Sequence, residues 1–225
     1  MDWSPILISM KTASVSIVIT FFLGILAAWL VVSMKNERMK IILDGILTLP
    51  LVLPPTVAGF FLLYLFGVKR PIGIFFLQFF GVKIAFSWTA TVLAAVVMSF
   101  PLMYRSARGA FEQVDPNLMA AARTLGMSEW SIFYKVLIAN AMPGIVSGGV
   151  LAFARGLGEF GATAMIAGNI AGKTRTLPMA VYSEVAAGNM DAAYRYVVII
   201  VVIAFLSVIL MNRAALRESK KRGQF

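Results

Sequence analysis

The residues hardest to place in this chain are Arg155 and Glu159, which stand inside an apolar run, Ala152-Phe-Ala-Arg155-Gly-Leu-Gly-Glu159-Phe-Gly-Ala162. Spaced four apart, they share one face of a helix and can pair. Charges in a lipid-soluble stretch mark either a permeation path or an interior ion pair. Arg155 then offsets the charge of a passing anion, or it only holds Glu159 and fixes helix packing. Gly156, Gly158 and Gly161 interleave the pair and permit close helix contact and broken helical geometry, as do Gly144 and Gly148 upstream. Other chemistry is thin. The sequence contains no Cys and no His, which removes thiols, disulfides, the usual metal ligand and the usual neutral-pH base. No catalytic residue and no metal site is expected, and an intramembrane enzyme lacks the nucleophile–base pair it would need.

A second stretch imitates a nucleotide site. Ala167-Gly-Asn-Ile-Ala-Gly-Lys173-Thr174 fits a loose phosphate-binding loop. Such a loop must follow a strand, open a helix and offer free backbone N–H groups. Here it follows a membrane segment and meets Pro178 four residues after Thr174, so no nucleotide or other cofactor is expected on this chain. Energy must come from a partner.

The elements that carry these residues are membrane spans. Of the 225 residues 60% are hydrophobic and 13% charged, against about 25% charged in soluble domains. The net charge of +10 sits in loops and a tail between apolar runs, which reads as topology determinants and lipid contacts rather than a nucleic-acid surface.

Five spans are expected, at about 8–34, 41–67, 84–107, 132–156 and 193–213, in an all-α transmembrane domain over 8–213. The first is read as a retained span, because Met1-Asp2-Trp3 has no basic leader and the uncharged run exceeds a signal core. The second contains Leu49-Pro50-Leu-Val-Leu-Pro54-Pro55. Those prolines must kink or break a helix, and broken backbone at membrane depth is tolerated only against protein or a wet cavity. Residues 69–83 form an outer loop with a short interfacial helix at 72–80. The fourth span has a broken or re-entrant extension over 160–172, since one helix from Val136 through Gly172 would be about 54 Å long. A short helix near 177–187 precedes the last span. Lys35, Arg38, Lys40, Arg105, Arg108, Arg123, Lys135 and the basic tail 214–225 are assigned to the cytoplasm, which puts the N-terminus outside.

Between the third and fourth spans lies the longest polar interruption, Asp115–Gly144. Asp115 is a good N-cap, Pro116 suits the first helical turn, and Gly126 supplies the left-handed stop. A helix over 116–125 is predicted, with Leu118, Ala122 and Leu125 on one face. Ala120, Ala121 and Ala122 leave a flat, small surface that another protein can approach. Ser128 caps the next helix.

At these residues the chain resembles a known family. Ala121-Ala122-x-x-x-Gly126, with Val136, Ile138 and Pro143-Gly144, is similar to the EAA loop of ABC-importer permeases, which carries a coupling helix seated in a cleft of a separate cytoplasmic ATPase. Ala120 stands where the family usually has Glu, and Ala139 where it usually has Pro, so no salt bridge through position 120 is implied. Leu151–Ala162, Thr174-Arg-Thr-Leu-Pro178, Leu49–Pro55 and Ser99-Phe-Pro-Leu-Met103 resemble the molybdate-importer permeases, over about residues 11–211. Sulfate permeases share Gly-Glu-Phe-Gly and the EAA loop, and tungstate is not separable from molybdate.

The resemblance implies a type I importer permease of the cell membrane, multi-pass and itself no enzyme. It implies a homodimer, two ATPase subunits that use ATP-Mg, and an extracytoplasmic oxyanion-binding protein. Ala120, Ala121, Ala122, Arg123, Thr124, Leu125 and Gly126 are then the coupling residues. Pro54, Pro55, Arg155, Glu159 and Thr163 are the pore or gate candidates. A sulfate importer and a passive channel, which needs no docking helix, are the other readings.

Overall fold

The computed structural model describes residues 2–221, with side chains to Arg213 except that of Met211. Among them there are helices and no strands. Helix α1 (Ser4–Val32) has a proline in its first turn, where the missing N–H costs nothing. It is about 43 Å long at 1.5 Å per residue. Its interior face repeats every four residues in small or hydroxylated side chains: Thr12, Ser16, Thr20, Gly24 and Ala28 are all buried. This face lies along α5 (Trp88–Glu112). Thr12 meets Thr91 at 2.9 Å and Thr20 meets Ser99 at 3.1 Å. A Cβ on Gly24 would fall 2.6 Å from Met103 Cγ. Small residues let the two backbones approach, and the hydroxyls satisfy one another where no water reaches.

Helix α2 (Glu37–Val52) starts at Asn36, whose side chain accepts from the Arg38 and Met39 N–H groups at 3.1 and 3.3 Å. Pro50 sits inside it, but the chain breaks at Leu53 and Pro54, both extended at ψ 139° and 135°. A residue before proline is pushed out of the α region, and here two successive positions precede one. Helix α3 (Pro55–Phe66) leaves at 111° to α2. The expected kink is therefore a complete break. Among the described residues four helices are long and apolar enough to cross a membrane, or five if the bent α2–α3 pair is one crossing.

After α4 (Pro71–Phe80) and α5 come α6 (Pro116–Thr124) and α7 (Glu129–Ile132). A six-residue π segment, Phe133–Ile138, then joins α7 to α8 (Ala139–Leu157). Helix α9 (Gly161–Ile166) is the broken extension, and α10 (Leu177–Ala186) leads to α11 (Met190–Lys221). The main core gathers where α1, α5 and α8 meet, around Met103, Tyr104, Phe111 and Ile145. A second cluster packs α3 and α9 on the N-terminal half of α5, around Ala58, Leu62, Ala162 and Ile166. Residues 214–221 of the basic tail extend α11, and Arg222 onward lies outside the described residues.

Candidate functional site

The segment after α5 folds as a capped knob. Asp115 accepts from the Asn117 N–H at 2.9 Å. At the other end Gly126 takes φ +75°, its N–H bonds the Arg123 carbonyl at 2.9 Å, and the Met127 N–H bonds Ala122 at 3.1 Å. This pair of bonds is a Schellman stop, which needs the left-handed residue that glycine adopts without steric cost. Arg123 then spans the turn to Glu129 with two bonds of 2.7 and 3.1 Å. Hydrogen bonding to Glu129 holds the Arg123 guanidinium above its ordinary range.

The face predicted for Leu118, Ala122 and Leu125 is split in the structure. Ala122 is buried and Met119 packs on the main core, whereas Leu118 is 47% and Leu125 82% exposed. Leu118, Ala121 and Leu125 run at spacings of three and four, so they share the outward face. Leu125 is the C-cap residue rather than the last helical one. Ala120, Arg123 and Thr124 are exposed too, and the Thr124 hydroxyl bonds back to the Ala121 carbonyl at 2.7 Å. The two leucines thus leave an apolar face of the capped helix uncovered by this chain. Beside it a cavity of about 620 Å³ opens between α5, α6 and α8, with Arg105, Gln113, Asp115, Asn140 and Ser147 on its walls.

The pore candidates converge where the two helix breaks meet. Glu159 is 2% exposed and sits between α8 and α9. One carboxylate oxygen accepts from the Arg155 guanidinium, and the other accepts the Ala162 N–H at 2.7 Å. Glu159 thus caps α9 while pairing with α8. Across from it, a Cβ on Gly161 would lie 2.8 Å from Pro55 Cβ, and one on Gly59 would lie 2.6 Å from Ala162 Cα. The start of α9 therefore rests directly on the start of α3. Pro54 and Pro55 are exposed at this junction, and Thr163 is buried in α9.

Three of the packing glycines sit at crossings. A Cβ on Gly144 would come 2.6 Å from Ala110 Cβ, and one on Gly148 would come 2.5 Å from Ser106 Cβ. A Cβ on Gly156 would lie 3.3 Å from Ser16 Oγ, where α1, α5 and α8 cross. Gly158 has room for a side chain, since a Cβ there would come no nearer than 3.6 Å to the Ala154 carbonyl, and it serves as the C-cap of α8.

The loop over 167–174 is closed on itself. The N–H groups of Lys173, Thr174 and Arg175 all point to the Ile170 carbonyl, and the Ile170 N–H bonds Thr174 Oγ1 at 3.0 Å. The N–H groups of Ile170, Lys173 and Thr174 are thus bonded within the loop, and no helix opens at Thr174 as a phosphate-binding loop requires.

Sequence reasoning missed one cluster. Asp44 on α2 accepts from the Tyr104 hydroxyl at 2.9 Å and from Arg108, and Arg108 Nε bonds Glu112 at 2.9 Å. Lys40 adds a contact to Glu112 at 3.6 Å. The network ties the first half of the broken span to the helix that ends in the knob. The signal for it was a lone acidic residue inside an otherwise apolar run.

The chain is similar to known proteins in sequence and in fold. The molybdenum transport system permease protein ModB of Escherichia coli is 44% identical over 99% of this chain and 96% of its own length. The permease protein YvgM of Bacillus subtilis, named as a putative molybdenum transport protein, is 42% identical over 94% of this chain and 92% of its own. Among solved structures, the MetNI methionine ABC transporter in an inward-facing form matches with a TM-score of 0.75 at 18% identity, over 95% of this chain and 94% of that one. A bacterial ABC transporter that imports alginate matches at 0.79 and 14%, over 95% and 78%. These two show a shared fold. The family model of binding-protein-dependent transport system inner membrane components matches residues 20–220, and with the near end-to-end identity to molybdenum permeases it places this chain in that family.

Proposed function

We propose that this chain is the membrane-embedded permease subunit of an ATP-driven molybdate importer. The observation that carries the substrate is identity of 39–44% over almost the whole length to relatives named for molybdenum transport in three bacteria. Tungstate has the same charge and tetrahedral shape and is expected to travel by the same route. Sulfate is the competing oxyanion.

In this reading α2 and α3 together form one of five crossings, the N-terminus lies outside, and the α6 knob lies in the cytoplasm, the side the basic loops favour. Two copies enclose the pathway, because one chain leaves α11 almost wholly uncovered, with 11% of its apolar window buried. A cytoplasmic ATPase seats the exposed face around Ala121 and Leu125, and an extracytoplasmic protein delivers the anion. ATP binding draws the two knobs together. Because α6 follows α5 after a short turn and is tied through α7 and the π segment to α8, that displacement reaches the spans as rigid-body rocking. The bent α2–α3 pair and the α8–α9 break change their relation, and access alternates from one side to the other.

The test is ATPase activity of the assembled complex, reconstituted with its binding protein and supplied with molybdate, tungstate or sulfate. Stimulation by molybdate and tungstate above sulfate is the expected result. Stimulation by sulfate alone would move the chain to the sulfate importers. Purification free of any ATPase would favour a passive channel.

A further inference from the structure

Away from the helix breaks, a pocket of about 470 Å³ lies where the first turns of α1 meet the start of α5 and the 167–174 loop. Its walls are Leu7, Ile8, Lys11, Phe86, Ser87, Trp88, Gly172 and Lys173, with two cations and no acid. The Lys11 ammonium stands 4.1 Å from the centre of the Trp88 ring. Trp88 is itself fixed, because its indole N–H bonds Thr12 Oγ1 at 3.1 Å. Phe86 forms another wall at φ +59°, the one non-glycine positive φ among the described residues. Its N–H bonds the Ile166 carbonyl at 2.9 Å, and its ring fills the space above Gly168. A bulky residue held in that conformation is strained and persists only where its surroundings over-determine it.

We propose that this pocket binds the headgroup of an anionic phospholipid. Neither lysine has an ion-pair partner among the described residues. Two unneutralised ammonium groups on an aromatic wall suit a phosphate better than they suit each other. The choice of a lipid over a free oxyanion rests on what lies below. Lys11 tops an exposed apolar stripe of α1 that continues through Val18, Phe22 and Leu26, 55%, 66% and 48% exposed. These follow at seven, four and four residues, so they share the lysine's face. A phosphate at Lys11 leaves its acyl chains lying along that stripe. Depth agrees, since about 20 residues of α1 after Lys11 suffice to cross the hydrocarbon and Trp88 marks the interface.

The experiment is native mass spectrometry of the full chain in its transporter complex, titrated with phosphatidylglycerol or phosphatidylcholine of matched acyl chains. Phosphatidylglycerol is expected to bind more tightly. The double variant Lys11→Gln/Lys173→Gln should weaken it by about tenfold and leave phosphatidylcholine unchanged. Lys69→Gln, a cation outside the pocket, should change neither. Lys173→Gln alone, on a loop, gives an intermediate loss and keeps the test open if the double variant fails to insert. Equal binding of the two lipids by the unmodified chain, or no loss in either variant, overturns the proposal. So does displacement of phosphatidylglycerol by molybdate, which would reassign the pocket to a free oxyanion. Lipid binding that appears only when the two copies separate would show that a second copy covers the stripe, and overturns it as well.

Discussion

The Tyr104 hydroxyl donates to Asp44 Oδ1 at 2.9 Å, across sixty residues of sequence. Tyr104 is fully buried in the main core, while α2 has no fully buried residue of its own. Leu43 and Leu47 pack on the main core only partly buried, so Asp44, through Tyr104 and Arg108, is a major part of the hold on α2. Tyr104→Phe should cost about 1 kcal/mol, the net worth of one such hydrogen bond. Asp44→Ala should cost more, about 2 kcal/mol, because it also strips Arg108 of a counter-charge. Both variants should insert normally and lose transport more than ATPase activity. Unfolding midpoints in detergent and uptake in vesicles check this. A double variant whose loss equals the sum of the singles would show that the two groups do not act together.

Glu159 offers a cleaner separation of roles. Glu159→Gln keeps an acceptor for the Ala162 N–H but drops the charge facing Arg155, whereas Glu159→Ala removes both. Transport should fall in that order, with alanine losing the start of α9. Arg155 is read through the anion. If it only pairs with Glu159, Arg155→Lys leaves the molybdate concentration for half-maximal ATPase stimulation unchanged. A several-fold rise would place the guanidinium in the path.

The close approach of α3 and α9 predicts an asymmetry among glycines. Gly59→Ala drives a methyl into the Ala162 backbone and should destabilise by about 1–3 kcal/mol. Gly45→Ala, on the same broken span, meets nothing within 4 Å and should stabilise the helix by about 0.5–1 kcal/mol. Thermal unfolding of the two variants side by side decides the point, and equal midpoints would remove the contact from the argument.

At the knob the constraint is torsional rather than steric. Gly126 has open space around it, yet φ +75°. A β-branched residue there should cost about 1–2 kcal/mol, and Asn less. Gly126→Val is expected to lower uptake and uncouple the ATPase while the protein still inserts, with Gly126→Asn retaining most function. Leu125→Asp should leave folding intact and reduce recovery of the ATPase in a pull-down, because 82% of Leu125 faces outward. Full recovery would exclude that face as the seat.

What could be read in the letters is uneven, for physical reasons. Local signals survived well. Asp115, Pro116 and Gly126 act within one turn of themselves, and α6 starts and stops at them. The prolines at 50, 54 and 55 announced a disruption, though not that Pro50 would be absorbed while Leu53-Pro54 broke the chain. Pairings over long separations were invisible. Asp44 looked like an isolated charge because Tyr104 and Arg108 stand sixty residues on. Spacing groups Leu118, Ala122 and Leu125 on one face but does not say which way a helix lies, and Ala122 and Met119 took the core side while both leucines stayed exposed. Nothing in Phe133–Ile138 marks a π segment, since neither glycine nor proline is present there.

That wide turn carries an extra residue without spoiling the aim of what precedes it. A π turn accommodates a surplus residue, and each residue of an ordinary helix advances about 100° around its axis. Removing one residue between Phe133 and Ile138 would restore regular winding and leave the segments on either side close to their present phase. Removing one from α8 instead would swivel everything before it by roughly 100°, with every cap and stop intact. Orientation in this permease is thus a matter of phase, which the wide turn preserves across a supernumerary residue.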